Sequence, residues 1–262
     1  MTDAHCHMTG GDLGVREFLI GRDFVGVHPW DAEGLGGLES LESLGGLGGL
    51  EGWLRARLEN LPNSAAPNLS NSAAPNLPNS AAPNLPNSAA PNLPNLLLGI
   101  GEIGLDRLKV KTISPRMREV FEEQLKLALE FHRPVVLHGA KCWGQVVAAI
   151  SSTIRRFDDS TIPSFLFHGF SRSDGLLPDI VALNGYVSVG PAVLNDHAVN
   201  YRELVKKIPA DRLLVETDRT PENAATCPSV FAVAAKVAEL RGIGLEELEK
   251  LTDANATRFI GG

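Results

Sequence analysis

The sequence predicts an α/β protein in which parallel strands form a TIM-like (β/α) barrel, regular or distorted. Short runs of apolar and β-branched residues recur along its 262 residues, and longer amphipathic stretches alternate with them. Most of these runs are almost continuously hydrophobic and end in a polar residue. This is typical of strands that are buried on both faces and reach solvent at their C-terminal ends. The same alternation also fits a doubly wound sheet. A hydrophobic content of 44% is sufficient for one large domain.

Seven strands and five helices are predicted. The strands cover residues 2–7, 24–28, 96–102, 134–138, 165–168, 186–189 and 213–218. The helices cover residues 115–132, 142–156, 198–207, 229–241 and 245–251. The first helix has Ser114 as its capping residue and Pro115 in its first turn. An eighth strand near 220–228 would be short, and its position is not evident.

Residues 34–95 interrupt this alternation of predicted strands and helices. Leucine occurs at every third position from Leu35 to Leu50. An α-helix has about 3.6 residues per turn, so a spacing of three does not keep these side chains on one helical face. Four copies of an eight-residue repeat, NSAAPNL followed by Pro or Ser, then span residues 63–94. Proline at this density prevents both helices and sheet ladders, so we predict a disordered or polyproline-like surface insertion between the second and third predicted strands. An interaction arm is the alternative. The predicted organisation is one barrel domain over 1–262 with a low-complexity insertion at 34–95.

Composition excludes several classes of protein. A net charge of −7 argues against a protein that coats nucleic acid through a basic face. The three cysteines, Cys6, Cys142 and Cys227, include no CxxC pair, so neither a disulfide framework nor a cysteine zinc site is indicated. The sequence has no secretory leader pattern and no run of eighteen apolar residues. We therefore expect a cytoplasmic protein with no membrane partner and no obligate protein partner.

Polar side chains collect at the ends of the predicted strands. Five of the seven histidines and two carboxylates occupy these positions: His5, His7, His28, Glu102, His138, His168 and Asp218. A single histidine of this kind is more often a hydrogen-bonded core or loop residue. In a parallel barrel, however, the C-terminal ends of all strands meet at one mouth. The joint pattern therefore predicts a metal site there.

Several ordered motifs resemble the TatD family of metal-dependent deoxyribonucleases, within the amidohydrolase superfamily. They are DAHCH at 3–7, GVHPW at 26–30, GEIGLD at 101–106, QLKLALEFHRPVVLH at 124–138, FHGFS at 167–171, LLVETD at 213–218 and NATRF at 255–259. The resemblance spans the chain outside 34–95. It implies that one metal lies among His5, His7, Glu102 and Asp218, and that Glu102, His138 and His168 hold a second metal. The ions would be Zn, Mn or Mg: histidine ligands favour Zn or Mn, whereas the family's nucleases are usually described as Mg-dependent.

The chemistry of this residue set is consistent with that resemblance. Paired divalent ions clamp the attacking and leaving oxygens of a phosphoryl group. Glu102 is the natural bridge between them, and Asp218 can take the proton of the attacking water, so both are candidate catalytic residues. Four neutral imidazoles and two carboxylates around two such ions leave a net charge of about +2, which attracts an anion.

We therefore predict a dinuclear-metal phosphodiester hydrolase that acts on DNA, in the manner of a 3'-5' exonuclease. A first alternative keeps the site but changes the bond, as in an ester or amide hydrolase such as a D-aminoacyl-tRNA deacylase. A second alternative is a non-enzymatic scaffold that uses the repeat arm. Deletion of 62–95 distinguishes the scaffold, because activity would survive while a partner would be lost.

Substrate contacts are predicted from basic residues that closely follow the ligands. His28 is either a phosphate donor or a structural hydrogen-bonding residue. Arg107, Lys141, Arg172 and Arg219 each follow a predicted ligand within five residues, and they are either phosphate contacts or solvated loop charges. The chain departs from the family pattern at Trp30, Lys141, Arg172 and the Arg219-Thr220 pair, where many members have His, Arg, Gly and a shorter Asp-x-Pro sequence.

Overall fold

The computed structural model describes residues 1–9, 12–34, 44–59, 97–157, 162–171 and 174–261. Within these ranges it contains eight strands, all paired in parallel. They are β1 (Thr2–Cys6), β2 (Arg16–Leu19), β3 (Phe24–Val25), β4 (Gly99–Asp106), β5 (Val135–Ala140), β6 (Phe165–Phe167), β7 (Gly185–Val189) and β8 (Leu213–Val215). The α-helices in the same ranges are α1 (Pro29–Ala32), α2 (Gly46–Glu59), α3 (Pro115–Glu130), α4 (Trp143–Ile154), α5 (Leu177–Ala182), α6 (Val199–Lys207), α7 (Val230–Arg241) and α8 (Leu245–Gly261).

The strands follow one another around a distorted TIM-like ring. Strands β3 to β8 form one sheet in chain order, and β1 pairs with β2. An isolated parallel bridge between Ile20 and Phe24 connects β2 to β3. On the other side, the backbone N–H of Asp218 donates to the His5 carbonyl at 3.0 Å, and the N–H of His7 donates to the Arg219 carbonyl at 2.7 Å. The predicted barrel class is therefore confirmed. The β1–β2 pair is joined to the six-stranded sheet by one bridge on one side and by two backbone hydrogen bonds on the other.

The eighth strand is not where the sequence suggested. It is β2, between the first and second predicted strands, and no strand occurs at 220–228 in the described chain. Strand β2 has the sequence REFL, with charged residues at its first two positions, and it is too short to show a periodic pattern. Helix α5 was also missed, and α8 continues to Gly261 instead of ending at 251.

Helix α2 lies inside 34–95, where no helix was predicted. The leucine spacing changes from three to four at Leu50, and Leu50, Leu54 and Leu58 are the buried side chains of this helix. A spacing of four places these side chains on one face, which packs against the core. The eight-residue repeat at 63–94 lies outside the described residues.

The barrel interior is apolar, and the polar strand ends lie above it. Val136 of β5 and Leu166 of β6 belong to a buried cluster together with Tyr186, Leu214 and Phe259. Because side chains alternate along a strand, the residue two positions after Val136 or Leu166 faces the same interior. Each of these residues is a histidine, so the fold places imidazoles directly above the apolar layer at the C-terminal ends of the strands.

Phe259 of α8 closes the interior cluster, and its ring centroid lies 5.8 Å from those of Phe24 and Tyr186. We expect Phe259→Ala to lower the free energy of unfolding by about 3–5 kcal/mol, because it leaves a cavity in a packed core. Phe231→Ala, at a partly exposed position on α7, is the matched control and should change it by about 0.5 kcal/mol or less. Urea denaturation measures both, and equal effects of the two variants would contradict this packing.

Across the described residues, every helix is too short or too polar to cross a lipid bilayer.

Candidate metal centre

Glu102 of β4 lies at the centre of the predicted site. Its side chain is 4% exposed, and five histidine rings approach its carboxylate. The distances from Oε1 are 2.6 Å to Nδ1 of His138, 2.7 Å to Nε2 of His168 and 3.5 Å to Nε2 of His28, and those from Oε2 are 3.3 Å to Nε2 of His7 and 3.5 Å to Nε2 of His5. The four imidazoles of the predicted ligand set and Glu102 therefore lie together.

Asp218 completes this group from the loop after β8. Its Oδ1 lies 3.5 Å from Nε2 of His5 and 3.6 Å from Nε2 of His7. The residue has a positive φ of 50°, and its carbonyl accepts a hydrogen bond from Asn223 Nδ2 at 3.0 Å. Its side chain is 49% exposed. Asp218 thus contacts the histidines on one side and solvent on the other.

The nitrogen and oxygen atoms around His5 fit a bound cation. Neither ring nitrogen of this fully buried histidine has a hydrogen-bond partner, and Nδ1 of His168 has none either. A buried polar atom without a partner is costly. Two ligands of a tetrahedral ion, each about 2.1 Å from it, lie about 3.4 Å apart. The distances of 3.3–3.6 Å from Nε2 of His5 and His7 to the carboxylates are of this size.

Three overlapping groups of potential ligand atoms are spaced closely enough to surround an ion. They are His5, His7 and Glu102; His5, His168 and Asp218; and His28, Glu102 and His138. The first is part of the predicted first set. The other two differ from the predicted sets, because His168 lies with Asp218, and His28 takes a place beside His138.

Mutual charge compensation shifts the pKa values in this centre. Burial alone would raise the pKa of Glu102, but the surrounding imidazoles hold it well below its ordinary value. Burial alone would lower the pKa of His138 and His168, but Glu102 outweighs this and raises both. The pKa of Asp218 is lowered, because the facing imidazole of His5 outweighs its burial. In the metal-free centre, protons on the histidines therefore balance the buried carboxylate.

This arrangement makes the stability of the metal-free protein depend on pH. A histidine whose pKa is raised on folding contributes stability that is complete below its unfolded pKa of about 6.5 and is lost as the pH rises through its folded pKa. His7, His138 and His168 all have raised pKa values. We expect chelator-treated protein to lose stability between pH 6.5 and alkaline pH, and divalent ions to restore it, because they replace these protons. Urea midpoints that do not vary with pH in chelator would contradict this prediction.

The hydrogen bonds of His28 give it a different role from that of the other histidines in the centre. Its Nδ1 accepts a hydrogen bond from the backbone N–H of Trp30 at 3.2 Å, so the proton of the neutral ring is on Nε2, which faces Glu102. Burial lowers the pKa of His28, which keeps the ring neutral. In this state Nε2 is a hydrogen-bond donor and not a metal ligand.

Three buried carboxylates near the site were not assigned a role from the sequence. Asp106 lies 3.0 Å from Nε2 of His138, and Glu216 lies 3.7 Å from Nδ1 of His168. Asp3 accepts hydrogen bonds from Thr217, and burial raises its pKa to about 7. With Asp106 and Glu216 included, the predicted excess of about +2 falls to about zero for two divalent ions. The attraction of an anion therefore depends more on the surrounding basic residues.

The predicted substrate residues differ in how close they lie to the metal centre. Lys141, which is exposed, lines a cavity of about 350 Å³ together with His138, His168 and Asp218. Arg219 follows Asp218 directly, and its buried Nε has no hydrogen-bond partner. Arg107 is exposed at the end of β4. Arg172 lies outside the described residues.

A TIM-like barrel with histidines and carboxylates gathered at the C-terminal ends of its strands defines the class of metal-centred barrel proteins. Within this class, residues 22–261 match the family described as TatD related DNase. The chain belongs to this family, and the resemblance predicted from its motifs is confirmed.

Similar proteins are found among curated sequences and solved structures. The chain is 34% identical over 170 residues to "Uncharacterized metal-dependent hydrolase YabD" of Bacillus subtilis, covering 62% of this chain and 65% of that protein. It is 29% identical over 175 residues to "3'-5' ssDNA/RNA exonuclease TatD" of Cronobacter sakazakii, covering 62% and 65%. These matches thus span less than two thirds of each relative. The crystal structure of YjjV, a TatD homologue from Escherichia coli K12, superposes with a TM-score of 0.63 at 21% identity, covering 98% of this chain and 96% of that one.

Proposed function

We propose that this chain is a metal-dependent hydrolase that binds two divalent ions around Glu102 and cleaves phosphodiester bonds in DNA, as a 3'-5' exonuclease would. The observation that carries the proposal is the approach of five histidine rings to one buried carboxylate, with Asp218 beside two of them. Membership of a family described as DNases and the names of the relatives support the substrate class.

In this proposal the ligands divide between two ions. His5, His7 and Asp218 would hold the first ion, His138 and His168 would hold the second, and Glu102 would be the ligand that both share. His168 also lies in a group with His5 and Asp218, so it is close to the ligands of both ions. Zn, Mn and Mg are all candidates, and histidine-rich coordination favours Zn or Mn. When bound, the ions polarise a phosphoryl oxygen and lower the pKa of water.

The residues of the chain do the rest of the chemistry. Asp218 accepts the proton of the attacking water, because its carboxylate is ionised and reaches solvent. His28 donates its Nε2–H to a phosphate oxygen of the substrate. Lys141 and Arg219 bind the phosphates on either side, and Arg107 and Arg172 extend this basic rim.

A substrate comparison tests the proposal. Purified protein is treated with chelator, reloaded with Zn²⁺, Mn²⁺ or Mg²⁺, and assayed on single-stranded DNA labelled at either end, on carboxyl esters and on D-aminoacyl-tRNA. We expect metal-dependent shortening of DNA from its 3' end. Hydrolysis only of the ester or the aminoacyl-tRNA would keep the metal centre and overturn the phosphodiester assignment. No metal-dependent hydrolysis of any substrate would overturn the proposed function.

A further inference from the structure

We propose that Asp106 and Trp30 are positioning residues, which hold the His138 ring with Nε2–H on Asp106 and leave Nδ1 facing Glu102 as the atom that binds a divalent ion. This inference rests on the proposed function, because it takes the His138 and Glu102 pair to be part of a metal centre. It adds two residues that touch neither the ion nor the substrate.

Asp106 is fixed by a complete set of donors. Its side chain is fully buried at the C-terminal end of β4. Oδ1 accepts hydrogen bonds from the backbone N–H groups of Leu108 at 2.6 Å and Lys109 at 2.7 Å. Oδ2 accepts from the indole N–H of Trp30 at 2.8 Å and lies 3.0 Å from Nε2 of His138. Because a carboxylate has about four acceptor positions, all of them are used and the group cannot rotate without losing a bond.

These contacts decide which nitrogen of His138 carries the proton. An ionised carboxylate only accepts hydrogen bonds, so the hydrogen between Nε2 and Asp106 belongs to the imidazole. The other nitrogen, Nδ1, lies 2.6 Å from Oε1 of Glu102. Turning the ring by half a revolution would place carbon atoms against both carboxylates. The two carboxylates on opposite sides of the ring therefore select one orientation, with Nε2 on Asp106 and Nδ1 toward Glu102. In the metal-free protein each nitrogen can donate to the carboxylate it faces, and an ion that replaced the proton on Nδ1 would leave the neutral ring with its proton on Nε2.

Trp30 is the part of this arrangement that is particular to the chain. Its backbone N–H donates to Nδ1 of His28, which caps the N-terminus of α1, and its indole N–H donates to Asp106. Trp30 therefore contacts both His28 and the carboxylate that holds His138. The ammonium group of Lys109 lies 3.8 Å from the centroid of the indole ring. This cation–π contact also restrains the ring. The sequence identified position 30 only as a departure from the family pattern. The structure gives the tryptophan a function as hydrogen-bond donor to Asp106.

The test uses Asp106→Asn, Trp30→Phe and the control Asp23→Asn. Asn keeps the shape of Asp106, but its side chain can either accept or donate a hydrogen bond, so it no longer fixes the proton of His138 on Nε2. Phe keeps an aromatic ring at position 30 but lacks the N–H that donates to Asp106. Asp23 is likewise buried and accepts hydrogen bonds from Leu19 and Arg22, but among the described residues it forms no hydrogen bond or ion pair with a histidine. Zinc dissociation constants are measured by competition with a chromophoric chelator. Long-range ¹H–¹⁵N spectra of histidine-labelled, zinc-loaded protein report which nitrogen of His138 carries the proton.

We expect Asp106→Asn to weaken zinc binding by about 10–100-fold, Trp30→Phe to weaken it less, and Asp23→Asn to leave it unchanged. In the zinc-loaded wild type, the proton of His138 should be on Nε2, and in zinc-loaded Asp106→Asn a second form with its proton on Nδ1 should appear. If Asp106→Asn does not fold, Trp30→Phe decides. A zinc-loaded wild-type ring with its proton on Nδ1, or zinc affinities and spectra that neither variant changes, would overturn the inference and leave the proposed function standing. Failure of the wild type to bind zinc would overturn the proposed function, and the inference with it.

Discussion

Replacing Glu102 with glutamine is expected to abolish metal-dependent hydrolysis and to weaken divalent-ion binding by more than about 100-fold, since loss of a residue behind a ligand already costs about 10–100-fold. Glutamine has the size of glutamate, but it carries no charge and offers only one oxygen. It would also direct an amide N–H toward the histidine nitrogens, which lie 2.6–3.5 Å from the native carboxylate. Metal analysis after dialysis and the hydrolysis assay measure these losses.

Glu130→Gln is the matched control for this variant, because Glu130 forms an exposed ion pair with Arg55 on the protein surface. It should bind metal and hydrolyse substrate as the wild type does. The pH dependence of stability in chelator should also become weaker in Glu102→Gln, since His138 and His168 lose the charge that contributes most to raising their pKa values. Retention of two bound ions by Glu102→Gln would show that this carboxylate is not the bridge.

Asp218→Asn is expected to lower kcat by about 10²–10⁴-fold, the usual contribution of a general base. Asparagine can still occupy the position beside His5 and His7, but it cannot accept the proton of water at neutral pH. The second ion should remain, because Glu102, His138 and His168 do not need Asp218. Kinetic constants as a function of pH, together with metal content, separate loss of the base from loss of an ion.

Asp211→Asn, at an exposed carboxylate, provides the comparison for Asp218→Asn and should leave kcat unchanged. A kcat near the wild-type value in Asp218→Asn would assign the proton transfer to another group. Among the buried carboxylates of the centre, Glu216 would then be the next candidate, because it lies 3.7 Å from Nδ1 of His168.

The sequence was sufficient to predict which residues meet at the centre, because topology alone brings them together. All strands of a parallel barrel end at the same mouth, so His5, Glu102, His138 and His168 become neighbours although they are far apart along the chain. This prediction required only the positions of the strands and the polar residues at their ends. Both can be identified in the sequence without knowing any interatomic distance.

The roles of Asp106, Glu216 and Trp30 could not be predicted in the same way. Asp106 and Glu216 look like ordinary polar residues at strand ends, and only their distances to His138 and His168 distinguish them. The state of His28 depends on the turn that brings the N–H of Trp30 to its Nδ1. A tryptophan that follows a proline gives no indication that its indole will donate to a carboxylate 76 residues later.

Two of the elements that the sequence did not predict, β2 and α2, have patterns that are short or mixed. Strand β2 has four residues and begins with two charged ones, and its position depends on pairing with β1. In α2, the glycines and the three-residue leucine spacing before Leu50 obscured a helical face that begins there. In both cases tertiary contacts outweigh weak local preferences.

Anomalous diffraction from crystals of the wild-type protein grown with Mn²⁺ or Zn²⁺ would locate the ions at Glu102. We expect two anomalous peaks near the Glu102 carboxylate, one beside His5 and His7 and the other beside His138 and His168. A catalytically active crystal with no peak at Glu102, and with its carboxylate still hydrogen-bonded to His138, would contradict this expectation.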